Sequence, residues 1–187
     1  MKKTCALIML FVGLGAAPAL AAPYVSVSAG LGLPGDFEEL SNAWGVNSGV
    51  SWNGAVGYDF NGPRVEAAIG YQETDFASAG SGQTSFYSFM ANACYDIPIV
   101  KGAKAYVLGG VGVMDLKADD DPPTSYWLNE TYFAWQLGAG VGIDLSKSVV
   151  LDLGYRYLKP ENIICAYHDA DVNWENHSVM AGIRYSF

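Results

Sequence analysis

Few side chains in this sequence have the type and spacing to carry chemistry. His177 and Ser178 are the only adjacent base and nucleophile, but consecutive strand residues point to opposite faces, so the two cannot readily share a hydrogen bond. His168 falls in a predicted loop, where water solvates it. The run Asp119 to Asp121, ahead of Pro122-Pro123, offers hard carboxylate oxygens of the kind Ca²⁺ or Mg²⁺ takes. Its spacing matches no defined ion loop, so a solvated acidic loop is expected. Cys94 and Cys165 could pair in an oxidising compartment, but one is expected in a strand and the other in a loop at the opposite end, beyond disulfide reach, which leaves two free thiols. What remains is a set of charges, Glu66, Asp152, Arg156 and Arg184. They sit in segments that otherwise alternate bulky apolar with small residues. Charges enclosed there must pair or cost several kcal/mol, so an interior ion-pair network that plugs the fold is expected, with a gated ion path as the alternative. No residue pattern calls for a cofactor or a resident metal.

The elements that hold these charges are legible from period-two alternation. Phe133, Trp135, Leu137, Ala139, Val141 and Ile143 share one face, while Gln136, Gly138, Gly140, Gly142 and Asp144 share the other. Val149 to Tyr157, Arg64 to Gln72 and the last strand, ending at Phe187, repeat the pattern, each placing its charges on the glycine face. Tyr24 to Leu31, Val50 to Phe60, Ser85 to Asp96 and Ala103 to Met114 complete eight strands. The fourth of these is apolar on both faces, and pattern alone does not assign its inside. Short turns are expected near Asn61-Gly62-Pro63, Ile97 to Gly102 and Leu145 to Lys147. Long links are expected over Leu33 to Ser48, Gln72 to Gln83, Leu116 to Glu130 and Lys159 to Asn173.

Ahead of the strands, Lys2 and Lys3, the apolar stretch Ala6 to Leu14 and the small residues Ala19-Leu20-Ala21 form an export signal over 1–21, with Cys5 inside it. The domain is then 22–187. Residues are 51% hydrophobic and only 16% charged, which is awkward for a chain surrounded by water. No later segment reaches the roughly 18 unbroken apolar residues of a spanning helix. Entry into a membrane must therefore be as a closed sheet. A soluble ligand-carrying barrel has the same period, but a narrow lumen has no room for the bulky face of every strand. Glycine, serine and alanine fit inside, and the bulky face is left for lipid. The fold expected is an all-β, eight-stranded antiparallel up-and-down transmembrane barrel with short periplasmic turns, four long extracellular loops and both ends on the turn side. Aromatic girdles follow at Trp52, Tyr71, Tyr87 and Trp135 toward the loops, and at Tyr58, Phe60, Tyr95 and Tyr185 toward the turns. The loops are acidic: Asp36, Glu38, Glu39, Glu73, Asp75, Asp115, Asp119, Asp120, Asp121, Glu130, Glu161, Asp169, Asp171 and Glu175 face only Lys117 and Lys159. Such a surface disfavours nucleic acid as a partner.

AAPYVSVSAG after the leader, GYDF before a tight turn, AYVLGGVGV in the middle, VVLDLGYRYL in the seventh strand and GIRYSF at the end together resemble the small outer-membrane barrel family. That family includes the opacity-type proteins, the surface-antigen barrels and the OmpA-type transmembrane domain. The resemblance spans essentially the whole domain. It implies a place in the outer membrane of a diderm bacterium, among outer-membrane lipid and lipopolysaccharide. It also implies that Phe187, with Tyr185 and Ile183 at alternate positions before it, is the signal read by the barrel-assembly machinery. The function expected is a non-enzymatic surface barrel, structural or adhesive, whose acidic loops meet a host or cell-surface ligand. A narrow pore for small solutes or ions is the first alternative, and a lipid-modifying enzyme the second.

Overall fold

A computed structural model of the chain describes residues 21–35, 48–75, 82–120, 126–161, 163–165, 170–172 and 174–187. The leader before residue 21 and Asp36, Glu38, Glu39, Asp121, His168 and Asp169 lie outside the described residues, as do the side chains of Asp75, Lys117, Asp119, Asp120, Glu130, Cys165 and Asp171.

Alternation becomes ten strands: β1 (Ala22–Pro34), β2 (Gly49–Asp59), β3 (Pro63–Asp75), β4 (Gly82–Val100), β5 (Ala103–Asp120), β6 (Tyr126–Asp144), β7 (Val149–Pro160), β8 (Ile163–Cys165), β9 (Ala170–Val172) and β10 (Asn176–Ser186). Eight of them close into an antiparallel barrel in the order β1-β2-β3-β4-β5-β6-β7-β10, and β10 pairs back onto β1 from Tyr24↔Ser186 to Pro34↔Asn176. Closure gives each of the eight strands a hydrogen-bonded neighbour on both sides, which leaves the barrel no open edge, as hydrocarbon requires. β8 and β9 form a separate two-stranded hairpin within the last long link.

The three tight turns and both ends of the barrel fall at one end. Between β2 and β3, Asn61 (φ 64°) and Gly62 (φ 131°) take the left-handed backbone, and the Asp59 carboxylate accepts the Asn61 amide at 2.8 Å. Gly102 (φ 85°) makes the β4–β5 turn, a conformation other residues adopt only with strain.

The strands run further than alternation indicates. β4 continues through Ile97 to Val100, so its turn shrinks to Lys101-Gly102, and the expected links after Gln72 and Leu116 are largely ladder, with Gly82↔Asp120 and Asp119↔Tyr126 paired. Ladder bonds are made by the backbone, so polar side chains beyond the membrane do not end a strand. β4, β5 and β6, of 19, 18 and 19 residues, stand above the 11 to 13 residues of β1, β2, β3, β7 and β10 as one taller wall.

The bulky face points outward: Val27, Leu31, Val111, Phe133, Leu137 and Val179 are all more than half exposed, and Ile183 is 39% exposed. Trp135 and Leu151 are also partly exposed. β5 resolves its ambiguity by turning Tyr106, Leu108, Met114 and Leu116 inward and Val107, Val111 and Val113 outward. Glycine is required where ring meets backbone. Cβ atoms on Gly140 and Gly154, paired neighbours on β6 and β7, would each run into the Tyr106 hydroxyl. Among the described residues no helix is long and apolar enough to cross a membrane.

Candidate functional site

The lumen carries the buried chemistry. Arg64, on β3 beside the first turn, is its centre. Its Nε donates to Asp96 Oδ1 at 2.9 Å and its Nη2 lies 2.8 Å from the same oxygen, while Nη1 donates to the Tyr24 hydroxyl at 3.3 Å. Asp96 Oδ2 accepts from Arg184 at 3.5 Å, so one carboxylate on β4 joins guanidiniums from β3 and β10. The Tyr24 hydroxyl donates to Glu66 Oε2 at 2.7 Å, Asn92 donates to Glu66 Oε1 at 2.9 Å, and Gln136 donates to Asn92 at 2.5 Å. The hydrogen-bonded chain thus crosses the barrel through β10, β4, β3, β1 and β6. Rings flank the cations: the Arg64 guanidinium carbon sits 5.4 Å from the Tyr106 centroid, and Arg184 sits 5.7 Å from that of Tyr24. Arg64, Glu66, Asp96 and Arg184 are all nine-tenths or more buried, and charges so placed are tolerated only when paired.

The sequence singled out Glu66, Asp152, Arg156 and Arg184, and the structure joins only two of them in this chain. Asp152 instead accepts the Tyr106 hydroxyl at 2.6 Å. Arg156 makes no ion pair among the described residues and borders, with Asp152, Arg64 and Arg184, a cavity of about 30 Å³. The charges that sequence reasoning left out, Arg64 and Asp96, hold the network together. Arg64 sits on the glycine face of its strand and Asp96 shares the parity of Ser88, Asn92 and Cys94, opposite the bulky face, and that was the available signal. Both lie next to turns, yet the barrel walls bury them, at 4% exposure each.

Toward the loops the lumen turns apolar, which small-residue alternation did not foretell. Phe86, Met90, Met114, Leu116, Tyr132, Ala134, Leu158 and Trp174 form one buried cluster. Trp174, in the segment before β10, is 2% exposed and meets Phe86 edge to face with centroids 5.5 Å apart. Beside it Gln72 and Asn176 exchange amide hydrogen bonds of 2.9 and 3.0 Å across the mouth. Gly32 of β1 permits this, because a Cβ there would overlap the Gln72 amide. The interior is therefore closed twice, by ion pairs near the turns and by apolar packing near the loops.

Cys94 is a buried free thiol in the lumen. Ser178 points inward and accepts from Asn176 at 3.0 Å, whereas His177 points outward to Tyr155, so the two do not meet. No group of three or more His, Cys, Asp or Glu among the described residues is placed to hold a metal. Phe187, Tyr185 and Ile183 all face outward, with Phe187 73% exposed and its ring edge-on to Tyr185 at 5.2 Å.

Comparison with known proteins agrees with this architecture. Neisserial surface protein A superposes with a TM-score of 0.67 at 23% identity, covering 89% of this chain and 99% of that one. Ail, the attachment invasion locus protein of Yersinia pestis, does so at 0.56 and 20%, covering 88% and 98%. Uncharacterized proteins of Brucella abortus and Brucella suis are 30% identical over a stretch covering 56% of this chain and 48% of theirs, so the chain spans about half the length of the curated relatives it matches. The family described as Outer membrane protein beta-barrel domain matches residues 5–187. With that match over an eight-stranded closed barrel that exposes an apolar outer wall, the chain belongs to the outer-membrane β-barrel protein family of Gram-negative bacteria.

Proposed function

We propose that this chain is a non-enzymatic surface barrel that works through its loops rather than its interior. The observation that carries the reading is the doubly closed lumen: a route for solute would have to break Arg64–Asp96–Arg184 at one end and the Trp174 cluster at the other. The reading includes export by a signal cleaved near Ala21, assembly through the Phe187, Tyr185 and Ile183 signature, lipopolysaccharide and outer-membrane lipid around the wall, and a host or cell-surface ligand for the acidic loops. Planar-bilayer recording on refolded protein, with protease shaving of intact cells, tests it. The expected outcome is no steady conductance and cleavage confined to the loop end. Large steady channels would favour the narrow-pore alternative.

A further inference from the structure

We propose that the lumen holds a monatomic anion of the chloride class between the guanidiniums of Arg184, Arg156 and Arg64. The three line a cavity of about 30 Å³, together with Glu66, Asp152 and the free thiol of Cys94. Asp96, the carboxylate that ties Arg64 to Arg184, does not border it, so cations outnumber anions around this space. Donors outnumber acceptors as well. Arg184 is 5% exposed, its Nη1 reaches Asp96 Oδ2 only at 3.5 Å, and its buried Nε has no hydrogen-bond partner among the described residues. Arg156 makes no ion pair among the described residues, and each guanidinium carries five N–H donors. The bordering carboxylates are engaged elsewhere: Glu66 accepts from Tyr24 and Asn92, and Asp152 accepts from Tyr106 at 2.6 Å.

A buried donor left without an acceptor is costly, and more so on a charged group. The demand here is for an acceptor that brings no hydrogens of its own. Water meets it poorly, because its own hydrogens would then need acceptors among carboxylates already engaged. A halide accepts from every side, and its charge offsets the guanidinium in excess. Size sets the ligand class: a single water needs roughly 10–15 Å³, so a cavity of about 30 Å³ takes a monatomic anion and excludes phosphate, sulfate or an organic carboxylate. The low dielectric of the barrel interior strengthens each contact. A halide seated there adds a tie to the ion pairs that close the lumen near the turns, so it reinforces the seal.

The test is made on the full mature chain refolded into detergent micelles. Its urea midpoint is followed as sodium chloride replaces sodium gluconate at constant ionic strength, gluconate having the same charge but being too large for the cavity. The expected result is a midpoint that rises with chloride, each tenfold increase above the dissociation constant adding about 1.4 kcal/mol, with bromide acting like chloride. Arg156→Met removes one guanidinium and should flatten this dependence, whatever it does to the midpoint in gluconate. Arg156→Lys keeps the charge with fewer donors and should show the same rise at about tenfold higher chloride. Each variant is first checked for the heat-modifiable gel shift of a folded barrel, and if Arg156→Met does not fold, Arg156→Lys carries the comparison. A midpoint equal in chloride and gluconate overturns the inference and assigns the cavity to water. A chloride effect of the same size and concentration range in parent and variant also overturns it, as a general effect of salt on the barrel.

Discussion

Asp96 and Asp152 are both lumen carboxylates, and their partners set different costs for losing them. Asp96 holds two guanidiniums, so Asp96→Asn leaves Arg184 buried with its countercharge removed and Arg64 with only Glu66, 3.9 Å away, a loss of about 3–5 kcal/mol by comparison with other broken buried pairs. Asp152 accepts one tyrosine hydroxyl, and Asp152→Asn keeps an oxygen that can accept it, at a cost of about 1 kcal/mol or less. Urea unfolding of the refolded variants should therefore show a large fall in midpoint for the first and a small one for the second. At the loop rim, outside the spanning strands, the Tyr157 hydrogen bond and then His177 hold the Glu175 carboxyl below its ordinary range. A lowered value means the folded chain binds fewer protons than the unfolded one. This stabilisation is present above the ordinary carboxylate range and is lost as pH falls toward the lowered value. Tyr157→Phe removes the largest cause, so a carbon-detected NMR titration should show the Glu175 midpoint moving upward. An unchanged midpoint would mean the hydrogen bond does not form in the membrane-bound protein.

Strand alternation carried most of the architecture because a barrel wall has two unlike solvents, and every second residue reports one of them. Where both faces are apolar, as in β5, that report fails, and glycine positions decide instead: Gly140 and Gly154 make room only for an inward Tyr106. Gly140→Val should accordingly leave the protein in the unfolded, non-heat-modifiable gel position, since the new side chain would meet Tyr106 and the Leu153 carbonyl. Gly109→Ala, whose Cβ would meet only a Leu137 methyl at 3.9 Å, should fold like the parent. The last strand yields another expectation. Phe187 is mostly exposed, so deleting it should barely change refolded stability in detergent while lowering the amount assembled in the outer membrane of cells. Equal assembly would count against its role as the signal.

At the scale of the whole molecule, barrel closure, strand count, the outward bulky face and the single end for turns and termini were legible from one sequence. Each is stated locally, in alternation, turn chemistry and spacing along the chain. The interior was legible only in part. Glu66 and Arg184 could be placed in the lumen by parity, but not their partners, because Arg64, Asp96 and Tyr24 come from three strands whose inward residues meet only once shear sets their relative heights. The apolar closure by Trp174 and Phe86 was hidden for the same reason, since it joins a loop residue to a strand far away in the chain. Parity along a strand is a local property that side-chain types record directly, whereas contact across a lumen depends on register between distant strands, and only the closed tertiary structure supplies it.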